Sequence, residues 1–327
     1  MEPLRDSFGR THTYVRVSVT DRCNFRCVYC MPEEGLDWMQ RSDLLSYEEI
    51  ARLVGVFASM GVTGVRLTGG EPLVRKDLEC LVAELGQIPG IDDLAMTTNA
   101  HRLAACAQEL ADAGLTRINV SLDSLDPERF SAMTRGGRLD KVLAGLDAAI
   151  AAGLSPIKIN CVVLEGENDE ELYDLVEFFG ARPEHFVLRF IEYMPFQARW
   201  HTSVPSAELR ARLSAVYSLN LATEGIGQGP ARDWVIKENG LRIGFISPLS
   251  NNFCSSCNRL RLMANGHLRT CLSDDGTPSL RDILRGGASD SELEQAIRDL
   301  VMGKRKSHEA LIDGGTPFEG VMTRVGG

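Results

Sequence analysis

Residues 14–20, Tyr-Val-Arg-Val-Ser-Val-Thr, set Val15, Val17 and Val19 against Arg16, Ser18 and Thr20, the period of two that marks a strand. Runs of similar strand character follow at 65–68, 94–98, 117–122, 156–164 and 186–191. Helical stretches lie between them at 46–60, 78–85, 103–113, 139–152 and 170–179. Gly61, Gly114 and Gly153 stand just past three of these helices, where a glycine takes the left-handed conformation that closes a helix. A β/α pair repeated six times predicts a parallel sheet with right-handed crossovers. Six units fit either a doubly wound sheet or an incomplete barrel, and periodicity alone does not choose between them.

The rhythm changes after residue 220. Gly225-Ile-Gly-Gln-Gly-Pro230 contains neither GxGxxG nor GxxxxGK[ST], so it reads as a linker rather than a phosphate loop. Strand-like runs resume at 233–237 and 241–246. We place a boundary there, with one domain over 1–220 and a smaller one over 221–327, a division in keeping with how far single cores grow. The final residues, Thr323-Arg-Val-Gly-Gly327, are small and polar, and a frayed tail is the plain expectation.

The composition, 44% hydrophobic and 24% charged, is that of a globular protein. The first residues lack the apolar core of a signal peptide and no run of 18 apolar residues follows, so a soluble cytoplasmic protein is expected. The net charge of -10 argues against general nucleic-acid or membrane binding, while leaving room for an anion held by a few local arginines and lysines.

Nine cysteines are many for such a chain, and six fall in two groups. Cys23, Cys27 and Cys30 form CxxxCxxC in the loop after the first strand, where parallel α/β folds place their ligands. Three thiolates can hold three irons of a 4Fe-4S cubane and leave the fourth open to another molecule. Structural zinc would want a fourth Cys or His nearby; His12 lies before the strand and the next histidine is His101. Cys254, Cys257 and Cys271 form CxxC, then 13 residues, then Cys. On spacing alone this second group reads equally as another open cluster or as zinc with His267 as fourth ligand. Cys80, Cys106 and Cys161 lie singly in apolar surroundings and receive no role.

Cys23-Asn-Phe-Arg-Cys27-Val-Tyr-Cys30 resembles the signature loop of the radical S-adenosylmethionine superfamily, and Thr68-Gly69-Gly70-Glu71-Pro72 resembles its GGEP motif. The resemblance implies an incomplete (β/α)6 barrel. It also implies a 4Fe-4S cluster whose open iron chelates S-adenosylmethionine, with Tyr29, Gly70, Glu71, Ser121 and Met194 as cofactor contacts.

Adding Cys254-Ser-Ser-Cys257-Asn-Arg259-Leu-Arg261, Cys271 and a terminal Gly-Gly, the order of motifs is similar to the GTP 3′,8-cyclase family of molybdenum cofactor biosynthesis along essentially the whole chain. That resemblance implies a second 4Fe-4S cluster in the smaller domain. It implies a lyase in which a 5′-deoxyadenosyl radical takes the ribose C3′ hydrogen of GTP, giving 3′,8-cyclo-7,8-dihydro-GTP. Arg16, Arg66, Thr97, Lys158, Arg259 and Arg261 match its GTP-binding positions, and Gly326 and Gly327 match a tail needed for catalysis. A homodimer, an electron donor and product transfer to cyclic pyranopterin monophosphate synthase are implied as well. The alternatives are another two-cluster radical enzyme, such as a peptide maturase, and a noncatalytic iron-sulfur or zinc protein.

Overall fold

The structure, a computed structural model, describes residues 2–195, 201–223, 229–272, 274, 278–308 and 322. The six expected strands are β1 (Tyr14–Ser18), β2 (Gly64–Thr68), β3 (Asp93–Thr98), β4 (Arg117–Ser121), β5 (Ile157–Val163) and β6 (Phe186–Glu192). They lie side by side in chain order, every pair parallel. Helices α1 (Tyr47–Ser59), α2 (Leu78–Gly86), α3 (Ala107–Asp112), α4 (Pro127–Thr134), α5 (Leu139–Ala151) and α6 (Leu172–Gly180) occupy the crossovers.

The outward positions of the strands are apolar, among them Val15, Val17, Val65, Leu67, Met96, Ile118, Val120, Ile159 and Leu188. They form one continuous core with the helices. The inward positions of the same strands are largely polar and share one cavity, so the sheet curls around it as a partial barrel. Gly61, Gly114 and Gly153 all have positive φ, as expected of closing glycines.

Two helical details differ from the sequence pattern. The stretch 103–113 is split at Cys106 into a single turn, Leu103–Ala105, and α3, because the Cys106 amide closes a tight turn on the Leu103 carbonyl. Helix α4 was not anticipated, although Asp126 caps it through the Arg129 amide and Pro127 opens it.

Beyond residue 200 come α7 (Ser206–Ser214), β7 (Leu219–Leu221), β8 (Arg232–Ile236), β9 (Arg242–Ile246), β10 (Arg259–Leu262), β11 (Leu268–Arg269), α8 (Leu280–Arg285) and α9 (Asp290–Met302). These strands continue the same sheet from both ends: β9 lies parallel to β6, and β10 parallel to β1. The full order is β11-β10-β1-β2-β3-β4-β5-β6-β9-β8-β7. The connection 247–258 therefore runs from the carboxyl end of β9, next to β6, to the amino end of β10, next to β1. Buried Glu192 anchors its start, its carboxylate accepting from the amides of Leu249 (3.1 Å) and Ser250 (3.0 Å).

Because β9 and β10 cap the edges of β6 and β1, a fragment ending at residue 220 is left with two unpaired edges. Such a fragment is expected to aggregate. Size-exclusion chromatography and circular dichroism of residues 1–220 check this, and a monomeric, cooperatively melting fragment would show that the barrel folds alone.

Candidate functional site

Strand parity sets the inner wall in rows. Arg261, Arg16 and Arg66 stand abreast on β10, β1 and β2, with neighbouring strands about 4.8 Å apart. Thr97, Asn119 and Lys158 form a second row on β3, β4 and β5, and Asn160 pairs with Arg189 across β5 and β6. A cavity of about 340 Å³ runs between these walls.

The first cysteine loop leaves the carboxyl end of β1. Cys254 and Cys257 precede the parallel strand β10, and Cys271 follows β11, which runs back antiparallel to it. The two groups thus sit at opposite ends of the barrel strands, and all six cysteines line the one cavity.

At the carboxyl end the loop after β2 packs directly on the segment leading into Cys23. The amides of Gly70 and Glu71 donate to the carbonyls of Thr20 and Arg22, both at 2.8 Å. A Cβ on Gly70 would lie 2.4 Å from the Arg22 carbonyl oxygen, and one on Gly69 2.7 Å from that of Thr20. The glycines therefore serve the close approach of two backbones. The Glu71 carboxylate accepts from the Thr98 hydroxyl (2.6 Å) and from the amides of Asn99 (2.7 Å) and Leu73 (3.1 Å), tying this loop to the end of β3. Burial pushes Glu71 up to about 7 against those hydrogen bonds.

The same end explains the thiols. Burial, then the neighbouring Cys30, Asp123 and Cys23, push the Cys27 thiol well above its ordinary range, so the three sulfurs are close enough to repel one another as thiolates. A group of irons is the kind of positive charge that removes the penalty. Among the described residues no three His, Cys, Asp or Glu side chains converge as ligands of a single ion. A cubane needs no such convergence, since each thiolate binds a different iron. Tyr29 donates to Asp123 (2.6 Å), and Ser121, Glu71, Gly70 and Met194 line the adjoining wall.

The middle of the cavity is cationic. Arg16 is pushed well below its usual range by burial and then by Arg261 and Arg66. Burial and Arg259 bring Arg261 down to about 9, and burial, Arg189, Arg117 and Arg66 bring Lys158 to about 6. Guanidinium groups do not give up their protons in proteins, so the push on the arginines measures a repulsion that an anion relieves. Thr97, Arg259 and Arg261 line the cavity with Arg16 and Arg66, whereas Lys158, 1% exposed, shares the inner face of the sheet without lining the cavity.

At the amino end, burial raises the Cys257 thiol, but Lys304 and Arg259 outweigh it and bring it to about 7. His267 sits in the turn between β10 and β11, at the opposite end of β10 from Cys257. It does not line the cavity; the histidine that meets this group is His308, whose Nδ1 lies 3.0 Å from Cys254 Sγ.

Comparison with known proteins agrees with this geometry. The family model described as Radical SAM superfamily matches residues 17–179, and that described as Molybdenum Cofactor Synthesis C matches 186–310. The chain is 47% identical over 318 residues to a GTP 3′,8-cyclase of Rhodopseudomonas palustris (strain TIE-1), covering 95% of this chain and 91% of the relative. It is 45% identical over 331 residues to one from Pseudomonas putida (strain W619), covering 99% and 98%. The chain belongs to the GTP 3′,8-cyclase family. Among solved structures, Streptococcus suis SuiB bound to S-adenosylmethionine superposes with a TM-score of 0.62 at 15% identity, over 94% of this chain and 74% of that one, a likeness of fold.

A chain of this family works with an iron-sulfur cluster and S-adenosylmethionine; the three thiols and the GGEP loop meet at the carboxyl end of the strands. Asp123, Asn119, Asn160 and Arg189 also line the cavity and were not singled out from the sequence. Strand parity alone would have found Asn119 and Asn160, which stand two residues from Ser121 and Lys158 on the same faces of β4 and β5. Gly326 and Gly327 lie outside the described residues.

Gly70→Ala forces the β2 loop off the Arg22 carbonyl. The expected outcome is a loss of about 1–3 kcal/mol together with poor iron uptake at the first cysteine group; denaturant unfolding and iron analysis of a variant that also lacks Cys254, Cys257 and Cys271 check both.

Proposed function

We propose that the chain converts GTP to 3′,8-cyclo-7,8-dihydro-GTP with two 4Fe-4S clusters, the first held by Cys23, Cys27 and Cys30 and the second by Cys254, Cys257 and Cys271. The observation that carries this reading is a single cavity with a three-thiol group at each end and a cationic wall between. A three-thiol set at each end leaves an iron for a small molecule at each end, one for S-adenosylmethionine and one for the nucleotide. When bound, the first cluster and S-adenosylmethionine supply the 5′-deoxyadenosyl radical that takes the ribose C3′ hydrogen.

The residues of the chain hold and aim the reactants. Gly70, Glu71, Tyr29, Ser121 and Met194 frame the cofactor at the carboxyl end. Arg16, Arg66 and Arg261, abreast on three strands, suit a triphosphate because guanidinium forks match phosphate oxygens two at a time. Thr97 adds a hydroxyl to this wall and Arg259 a further cation, while Lys158, on the same face of the sheet, adds positive field once it is protonated. Phe253 stacks under Arg259 at 4.9 Å and fixes its plane. Gly326 and Gly327 belong to this reading as a tail entering the cavity, in keeping with Met322, which lines it four residues earlier.

The deciding experiment is anaerobic reconstitution with iron and sulfide, then dithionite and S-adenosylmethionine with each of several nucleotides. About eight irons per chain, with 5′-deoxyadenosine formed only as GTP is consumed, are expected. About four irons, or cofactor cleavage without loss of GTP, would overturn the assignment.

Lys158 makes a second test. Its folded pKa is about 6, below the ordinary lysine value, so the ammonium form is disfavoured above pH 6 in the ligand-free protein. A triphosphate favours the ammonium, so binding takes up a proton and GTP affinity falls as pH rises through 6–8. Calorimetry in buffers of different ionisation enthalpy should show this uptake, and Lys158→Met should abolish it.

A further inference from the structure

The stretch 303–308 lies against the second cysteine group and has no part in holding substrate in the reading above. Lys304 is 4% exposed. Its ammonium donates to the carbonyls of Thr270 (2.5 Å) and Arg259 (2.9 Å) and stands 3.8 Å from Cys257 Sγ. Thr270 immediately precedes Cys271, and Arg259 follows Cys257 by two residues. One side chain therefore ties together the two arms that carry the thiols.

Four residues later His308 reaches the third thiol. Its Nε2 donates to the Pro248 carbonyl (2.9 Å), which leaves Nδ1 to accept from the Cys254 thiol at 3.0 Å. Arg10, ahead of β1, straps the segment down through the carbonyls of Cys254 (2.7 Å), Arg305 (2.8 Å) and Lys306 (2.9 Å). Asp6 in turn holds the Arg10 Nε at 2.6 Å.

No carboxylate appears among the described contacts of the Lys304 ammonium. The nearest groups able to carry negative charge are the sulfurs. Two carbonyls could be bridged as well by an uncharged amide, so anchoring alone does not explain a charge buried here, which is costly unless it faces an opposite one.

We propose that Lys304 is the positioning cation of the second cluster, fixing both arms of its cysteine set and favouring its reduced, more negative state. This rests on the reading that Cys254, Cys257 and Cys271 hold an iron-sulfur cluster. A fixed positive charge beside the sulfurs raises the reduction potential, and the strap governs how long the irons are kept.

The test uses the full chain with Cys23, Cys27 and Cys30 replaced by alanine, so that only the second cluster is observed after anaerobic reconstitution. Iron release to a chelator and the midpoint potential from an EPR-monitored redox titration are compared for this parent, Lys304→Gln and Lys304→Arg. Lys304→Gln is expected to release iron about tenfold faster and to lower the midpoint by about 59 mV, the equivalent of a tenfold change for one electron. Lys304→Arg, which keeps the charge, should stay near the parent in potential. A glutamine variant with the parent's release rate and potential overturns the proposal, as does an arginine variant shifted as far as the glutamine one. Should Lys304→Gln fail to fold, Arg10→Gln loosens the strap without touching the ammonium; release at the parent's rate then overturns the proposal. A parent that takes up no iron overturns the second-cluster reading itself.

Discussion

Three arginines abreast on adjacent strands, facing inward, are the constraint around which this molecule is arranged. Arg261 and Arg66 both repel Arg16 inside a curved sheet, and Arg189 adds to the same field. The chain as a whole carries a net charge of -10, so this cationic band runs against its overall sign. A polyanion entering between the walls relieves that repulsion, because guanidinium forks pair with anionic oxygens.

Around that centre the fold solves two problems of proximity. At the carboxyl end, two loops must approach until their backbones hydrogen-bond, and only glycine leaves room at positions 69 and 70. At the amino end, the second cysteine group must meet the same cavity although it lies more than 200 residues away in sequence. The parallel pairing of β10 with β1 achieves this, because it puts the chain just before β10 beside the start of β1. The C-terminal segment thus supplies the edges of the sheet as well as the thiols. Its contribution to stability and its contribution to chemistry cannot be separated in space.

The two cysteine groups differ in what surrounds them. Cys23 and Cys27 lie with Glu71 and Asp123 near by, and their burial opposes ionisation. Cys257 faces Lys304 and Arg259 and is drawn toward its thiolate form. The first group has no cation from the chain among the causes that act on its thiols, whereas the second already has Lys304 and Arg259 in place.

What the sequence determined by itself was everything carried by short range. The six β/α units, the closing glycines at 61, 114 and 153, both cysteine triplets and the inward parity of Arg16 follow from spacing within a few residues, where the chain's own geometry decides. Asp126 before Pro127, and Ser289 three residues before Glu292, cap helices in the structure that the sequence reading had not placed. The choice between a flat doubly wound sheet and a barrel was not legible, because both have the same alternation and differ only in which edges meet. Nor was the histidine beside the second cysteine group: His267 is nearer in sequence, yet the β10–β11 hairpin carries it to the far end of the strand, and His308 arrives from the end of the chain. The tertiary structure alone decided these, since strand pairing and hairpin direction bring together residues whose separation along the chain leaves no trace in any local pattern.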